Sequence, residues 1–336
     1  MTYVRSATQV LPGLMLAILI ALAAFATEYG EQAIWGRAWL EALVLAIILG
    51  STLRSFGRLP ARFSAGVRFA AKPVMEAAVA LMGASIGLFA LAGVGPTLIA
   101  AIAVTITLTI AFGYHIGRWF GLTERMAVLV ACGNAICGNS AIAAVGPAIG
   151  ADGDEVAASI GFTAVMGIVV VLLVPVIAPA LGLGAIKGGM LAGMTVYAVP
   201  QVLAAAHPLG DVAVQVGALV KLVRVLMLGP VLATVSLLFG NRGKRPALPR
   251  LGKFLPGFIV VFAALAALRS LGLIPDAIAH ATRSLSLLLT VVAMAGLGLG
   301  VDLRSLASAG PRVTASVVLS LMVLFAGALM VICLLG

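Results

Sequence analysis

Apolar runs of roughly membrane-span length follow one another along this chain, separated by short polar breaks. Eleven stand out: Leu11–Ala26, Leu40–Leu53, Pro73–Leu91, Pro96–Trp119, Met126–Ile149, Val156–Leu181, Gly188–Ala206, Val212–Phe239, Phe254–Leu271, Leu285–Leu303 and Val313–Leu335. A helical crossing needs about 20 mostly apolar residues. The second run reaches that length only if it starts near Ile34. The pattern predicts an all-α polytopic membrane protein of about 11 transmembrane helices, with 1–336 as a single integral membrane domain. The first run has Arg5 before it and the small-residue exit Ala23-Ala24-Phe25-Ala26, as a signal peptide would. With ten runs behind it, it reads as an uncleaved, additional N-terminal span over 1–27.

Composition agrees. The chain is 62% hydrophobic and 10% charged, whereas soluble domains are roughly 45–50% apolar and about 25% charged. A net charge of +10 would suggest nucleic acid in a soluble protein. Here the cations follow the positive-inside rule. With the N-terminus inside, inner loops hold Arg5; Arg54, Arg58, Arg62, Arg68 and Lys72; Arg118 and Arg125; Lys187; Arg242, Lys244, Arg245, Arg250 and Lys253; and Arg304 and Arg312, or 16 of the 21 Lys and Arg. Outer loops hold Arg37, Arg269 and Arg283, and the acids Glu28, Glu31, Asp152, Asp154, Glu155 and Asp211. The expectation is a multi-pass protein of the inner (plasma) membrane, N-terminus cytoplasmic and C-terminus outside, whose partner is the lipid bilayer and not nucleic acid. Arg54 to Lys72 reads as a basic amphipathic helix at the inner surface, or an ordinary connector.

The fifth run is unlike the others. Ala131 to Pro147 carries Asn134, Asn139, Ser140, Cys132, Cys137, Gly133, Gly138, Gly146 and Pro147 inside an apolar segment. Polar groups are costly in a bilayer and usually face a protein interior or a wet cavity. A Gly/Pro-interrupted hydrophobic segment is also the pointer to a secondary transporter's binding site. The competing reading is close packing of small residues between helices. Met194-Thr195-Val196-Tyr197-Ala198-Val199-Pro200-Gln201 is a second interrupted stretch. There Pro200 removes a backbone donor, and Thr195, Tyr197 and Gln201 either face a ligand or bond a neighbouring helix. Cys132 and Cys137 are five apart, without the two-residue gap of a zinc pair, and read as small packing residues.

Lys221 and Arg224 lie three apart in Val220-Lys221-Leu222-Val223-Arg224-Val225, well inside a span and on one helix face. No acid stands beside them in the sequence. Either they meet an anion, which Arg clamps with paired donors and Lys attracts as a point charge, or they cap helix carbonyls or pair with a distant acid such as Asp302. The sequence shows no HExxH, GxSxG or phosphate-binding Gly-Lys motif, and the three histidines are His115, His207 and His280. The chain does not read as an enzyme, no metal site is expected, and no cofactor is expected beyond a coupling ion, Na⁺ or H⁺.

Met82–Leu91 echoes Ala295–Arg304: both have Gly at spacing four, including Gly296 and Gly300, and both lead to a proline, Pro96 and Pro311. Their opposite orientation is what inverted repeats predict, with 28–184 as the first and 185–336 as the second. Ser140–Pro147 also echoes Gln201–Pro208, but these two runs share a direction. Either that echo is accidental or one segment is re-entrant. A five-plus-five repeat would instead pair the broken fifth span with the tenth.

These residues carry a family likeness. Cys132-Gly133-Asn134-Ala135-Ile136-Cys137-Gly138-Asn139-Ser140, Gln201-Val202 with Ala204-Ala205, and Val220–Val225 make the chain resemble the YeiH family of proposed sulfate exporters over nearly its whole length. That resemblance implies kinship with sodium/proton antiporters and bile-acid symporters, a panel domain plus a core domain, and crossing broken helices. This chain departs where the family carries His with an acidic neighbour, having Tyr197 and Ala198, and Pro200 stands for a small residue. The function expected is a secondary transporter exporting a small inorganic or organosulfur anion by alternating access. Asn134, Gly138, Asn139, Ser140, Thr195, Tyr197, Gln201, Lys221 and Arg224 are the expected substrate-binding residues. Cys132, Gly133, Cys137, Pro147, Pro200, Gly296 and Gly300 are expected to pack the broken helices. The alternatives are a Na⁺- or H⁺-coupled antiporter or symporter of another solute, and an intramembrane enzyme or receptor with Cys132 or Cys137 as nucleophile. The expected partner is a small anionic solute, with a homodimer as the assembly to look for.

Overall fold

The computed structural model describes residues 2–35, 41–57, 59–85, 95–239, 257–302, 304 and 311–335. Among them every regular element is a helix. Six stretches are long and apolar enough to cross a membrane unaided: Gln9–Ile34, Pro96–Trp119, Gly153–Ala180, Asp211–Phe239, Asp276–Leu299 and Pro311–Leu334. Shorter apolar helices accompany them. The chain divides into two compact units, each drawing on both halves of the sequence: Met1–Ala90 with Gly257–Arg304, and Leu91–Pro256 with Ser305–Gly336.

The first unit contains α1 (Thr2–Trp35), α2 (Ala42–Phe56), α3 (Ser64–Phe69), α4 (Met75–Met82), α13 (Gly257–Ser270) and α14 (Asp276–Leu299). α14 is its central helix, packed on α2, α4 and α1. Small residues permit the close approach: Gly298 faces Gly50, and Gly296 faces Ala70. The Ser286 hydroxyl donates to the Ala78 carbonyl at 2.7 Å, tying α14 to α4. The amphipathic helix expected over Arg54–Lys72 is not one helix. α2 runs on to Phe56, Gly57 and Pro60 break it, and α3 then leads through a π-helical stretch, Ala70–Val74, into α4. α3 packs one face on α1, with Gly66 backbone to backbone on Gly13, and leaves Ser64, Arg68 and Phe69 exposed on the other. Gly296 sits inside an unbroken α14 and Gly300 merely ends it, so neither packs a broken helix. The rest of the Met82–Leu91 echo, with Leu303, Arg37, Arg58 and the basic run Arg242, Lys244, Arg245, Arg250 and Lys253, lies outside the described residues.

The second unit contains α5 (Pro96–Trp119), α6 (Glu124–Ala135), α7 (Asn139–Ile149), α8 (Gly153–Ala180), α9 (Ala185–Thr195), α10 (Val199–Ala206), α11 (Asp211–Leu226), α12 (Leu228–Phe239) and α15 (Pro311–Leu334). Its organising feature is a pair of helical hairpins. α6 and α7 pack antiparallel, Leu129 beside Gly146 and Gly133 beside Ile142. Their outer ends come together: Thr123 donates to Glu155 at 2.5 Å, and Arg125 lies 4.0 Å from Asp152. The expected crossing Met126–Ile149 therefore enters and returns on one side. α9 and α10 do likewise. Gly188 at the start of α9 meets Leu209 just beyond α10, while α9 runs beside α11 with Gly189 on Ala213 and Gly193 on Gly217. The expected crossing Gly188–Ala206 is also re-entrant. Lengths explain this: legs of 12 and 11 residues and of 11 and 8 residues rise about 1.5 Å per residue, each too short for a core about 30 Å thick.

α8 shows how the hairpins meet. Along it, Val156 touches Gly146 in the first hairpin's far leg and Thr163 touches Gly133 near its tip. Gly167 touches Tyr197 and Gln201 at the second hairpin's tip, and Ala178 touches Gly188 at that hairpin's base. The two hairpins thus insert from opposite ends of α8. Their tips contact it four residues apart, about 6 Å along the axis. Ser140–Pro147 and Gln201–Pro208, which echo one another in sequence, both belong to the returning legs.

Candidate functional site

The site is built where the two tips meet. The first tip is Ile136-Cys137-Gly138. Gly138 has φ +63° and ψ −122°, a conformation that a side chain disfavours, and a Cβ there would also press on Tyr197. The second tip is Val196-Tyr197-Ala198, in extended backbone between α9 and α10. Pro200 does not cause this break. It lies in the first turn of α10, where its missing N–H costs nothing. Pro147 lies near the end of α7, which Gly150 closes in the left-handed conformation.

A helix end leaves its last carbonyls without intrahelical donors, and in a low-dielectric interior each needs a partner. At the end of α6, Ile136 N–H takes the Cys132 carbonyl and Gly138 N–H takes that of Gly133. The carbonyls of Asn134, Ala135 and Ile136 remain. Arg224 and Lys221 take them from α11. The Arg224 guanidinium donates to Asn134 O at 3.2 Å and to Ala135 O at 2.8 and 3.3 Å. It also donates to Gly193 O at 3.0 Å and to Val196 O at 3.4 Å, both in the second hairpin. Lys221 Nζ donates to the Ile136 carbonyl. Arg224 is 1% exposed and Lys221 0%. The close approach that lets α11 deliver them depends on Gly193, where a Cβ would meet Gly217 O and Val220. Among the described residues no carboxylate accompanies either cation.

The other expected residues divide in two. Asn134 is occupied within the protein: Tyr197 Oη donates to its Oδ1 at 2.8 Å, and its Nδ2 donates to Val317 O at 3.2 Å. Thr195 donates to Leu191 O at 2.7 Å. Gln201 Oε1 accepts from Ala198 N–H at 3.1 Å, closing the start of α10. Cys132, Gly133 and Cys137 are buried within the first hairpin, and the Cys137 sulfur takes the Ala141 amide. Asn139 and Ser140 differ. Both are exposed at the first turn of α7, where the helix presents free N–H groups and the positive end of its dipole. Asn139 Oδ1 accepts from Thr163 Oγ1 of α8 at 2.7 Å, which turns the amide and leaves its NH₂ outward. Thr163, Gly167 and Val317 complete the surroundings. The sequence signal for the first two was a polar or small residue every fourth position on an otherwise apolar α8. The Val317 contribution is a carbonyl and had no side-chain signal.

The arrangement puts two buried basic side chains behind one open helix N-terminus, with no carboxylate beside them among the described residues. It can hold an anion by N–H groups, the Asn139 amide and the Ser140 hydroxyl, with the cations acting through the field.

Comparison with known proteins accords with this reading of a membrane protein. The family model described as Conserved hypothetical protein 698 matches residues 12–317. A UPF0324 membrane protein of Brucella suis biovar 1 is 53% identical over 96% of this chain and 96% of its own length. One from Agrobacterium fabrum is 51% identical over 95% and 92%, and one from Bacillus cereus is 34% identical over 89% and 87%. No solved structure matches the chain. The chain is thus a multi-pass membrane protein and belongs to the family described as Conserved hypothetical protein 698, the UPF0324 membrane proteins.

Proposed function

We propose that the protein is a secondary transporter that moves a small inorganic or organosulfur anion by alternating access, as its likeness to the YeiH family of proposed sulfate exporters also suggests. The observation that carries this reading is the charge at the hairpin tips. Among the described residues Lys221 and Arg224 are buried without a carboxylate, and the exposed half-helix end at Asn139 and Ser140 is an N-terminus. Helix N-termini at broken membrane helices bind anionic substrate groups. The two compact units supply the two bodies that alternating access requires. This reading gives Cys132 and Cys137, buried in a packed hairpin, no catalytic part. Among the described residues no cluster of three His, Cys, Asp or Glu forms a metal site.

Re-entry of both hairpins changes the proposed topology only locally. With the N-terminus cytoplasmic, Asp152, Asp154 and Glu155 move to the inner side and Lys187 to the outer. The basic stretch 240–256 keeps its assignment to the inner side and the C-terminus its assignment to the outer, in the inner membrane.

The test is the melting temperature of detergent-purified protein against sulfate, sulfite, thiosulfate, taurine, chloride and carboxylates. A ligand that binds only the folded state stabilises by mass action. A saturable shift with one oxyanion, abolished by Asn139→Asp, is the expected result. No shift with any anion, or a shift that survives Asn139→Asp unchanged, overturns the reading.

A further inference from the structure

The cations at the hairpin tips carry an inference about coupling that goes beyond the identity of the anion. Five carbonyls converge there: Asn134, Ala135 and Ile136 from the first hairpin, Gly193 and Val196 from the second. They come from the carboxyl ends of two half-helices that meet from opposite sides, so two negative dipole ends point at one place. Neutral oxygens on unwound backbone, backed by half-helix C-termini, are what transporters use to coordinate a coupling cation. In this chain every one of the five already faces a side-chain donor. Arg224 takes four and Lys221 the fifth, and both side chains are sealed from solvent.

We propose that Arg224 and Lys221 are tethered cations filling a carbonyl cage that would otherwise take a free monovalent cation, so that the protein folds and works without Na⁺. The guanidinium suits the larger part of the cage. It offers five N–H vectors in a plane, and five donor–acceptor contacts reach four carbonyls across both tips. The ammonium fills the smaller remainder at Ile136. A free ion would bind and leave with each cycle, whereas these stay, and the cage becomes a fixed part of the site. Deleting either side chain should therefore convert a structural contact into a vacant cation site of matching size and charge.

The test uses the full-length protein in detergent, at constant chloride and ionic strength, with Na⁺, K⁺ and choline as the varied cation. The wild type is expected to melt at the same temperature in all three. Lys221→Ala is expected to gain a saturable, millimolar stabilisation by Na⁺, K⁺ or methylammonium that choline does not give. Arg224→Ala is expected to recover part of its lost melting temperature with millimolar guanidinium, well below denaturing concentrations, and none with tetramethylammonium. A wild type stabilised by Na⁺ over K⁺ and choline overturns the proposal, and that arm needs no variant to fold. A folded Lys221→Ala that responds to no cation overturns it equally. The sulfate series reports on the anion and is independent of this one, so the two ideas fail separately.

Discussion

Replacing Arg224 with Ala is the most informative single change. The guanidinium makes three contacts of 3.2 Å or less, to Asn134, Ala135 and Gly193, and two longer ones of 3.3 and 3.4 Å. A hydrogen bond from a charged donor contributes about 1.5–3 kcal/mol net, and a buried acceptor left alone costs about 1–3 kcal/mol. Weighting the three short contacts at the low end gives about 4–5 kcal/mol. Part of that is offset, because a buried charge without a carboxylate is itself costly and its removal relieves the desolvation. The expected net loss is about 3–4 kcal/mol, a fall in melting temperature on the order of 10 °C. Arg224→Lys keeps a charge but offers three donors in place of five, and should fall about half as far. The assay is thermal stability of the detergent-purified protein by size-exclusion chromatography after heating. An Arg224→Ala protein melting within about 2 °C of the wild type would refute the carbonyl account, since about 1 kcal/mol or less would then be at stake.

Other expectations follow from the same geometry. In a background lacking Cys132, Cys137 and Cys333, single cysteines at Thr123 and Ala151 should both react with an impermeant maleimide from the same face of the membrane; labelling from opposite faces would restore a crossing span. Gly138→Ala, forced into a positive-φ backbone against Tyr197, should cost about 1–3 kcal/mol, read as a lowered melting temperature. Tyr197→Phe leaves the Asn134 Oδ1 without its donor and should cost about 1–2 kcal/mol, whereas Ser140→Ala, at an exposed position, should leave stability within about 0.5 kcal/mol while weakening any anion-dependent shift.

The helical membrane architecture was legible from hydropathy, and so was the peculiarity of Ala131–Pro147 and Met194–Gln201, because Asn, Gly and Pro have few ordinary reasons to sit in apolar segments. What hydropathy could not show was direction. A hairpin of two short apolar legs has the same count of apolar residues as one crossing helix, and it takes tertiary contacts such as Thr123–Glu155 and Gly188–Leu209 to reveal the return. The echo between Ser140–Pro147 and Gln201–Pro208 was the available hint, since it demanded either accident or re-entry. The role of Lys221 and Arg224 was half legible. Their burial followed from their neighbours, but their partners are backbone carbonyls 28 to 90 residues away, and a carbonyl leaves no trace in a sequence. Likewise Asn134 and Asn139 look equivalent in the motif. Their neighbours separate them: Tyr197 and Val317 enclose the first, while Thr163 merely steadies the second.

The single guanidinium of Arg224 reaches carbonyls in both hairpins, and this has a mechanical consequence. Neither tip can swing away from the other without stripping that side chain of half its acceptors. The two hairpins are interlocked through that one side chain. On the transport reading proposed above, any displacement of one tip carries the other with it, because α11 holds both through Arg224.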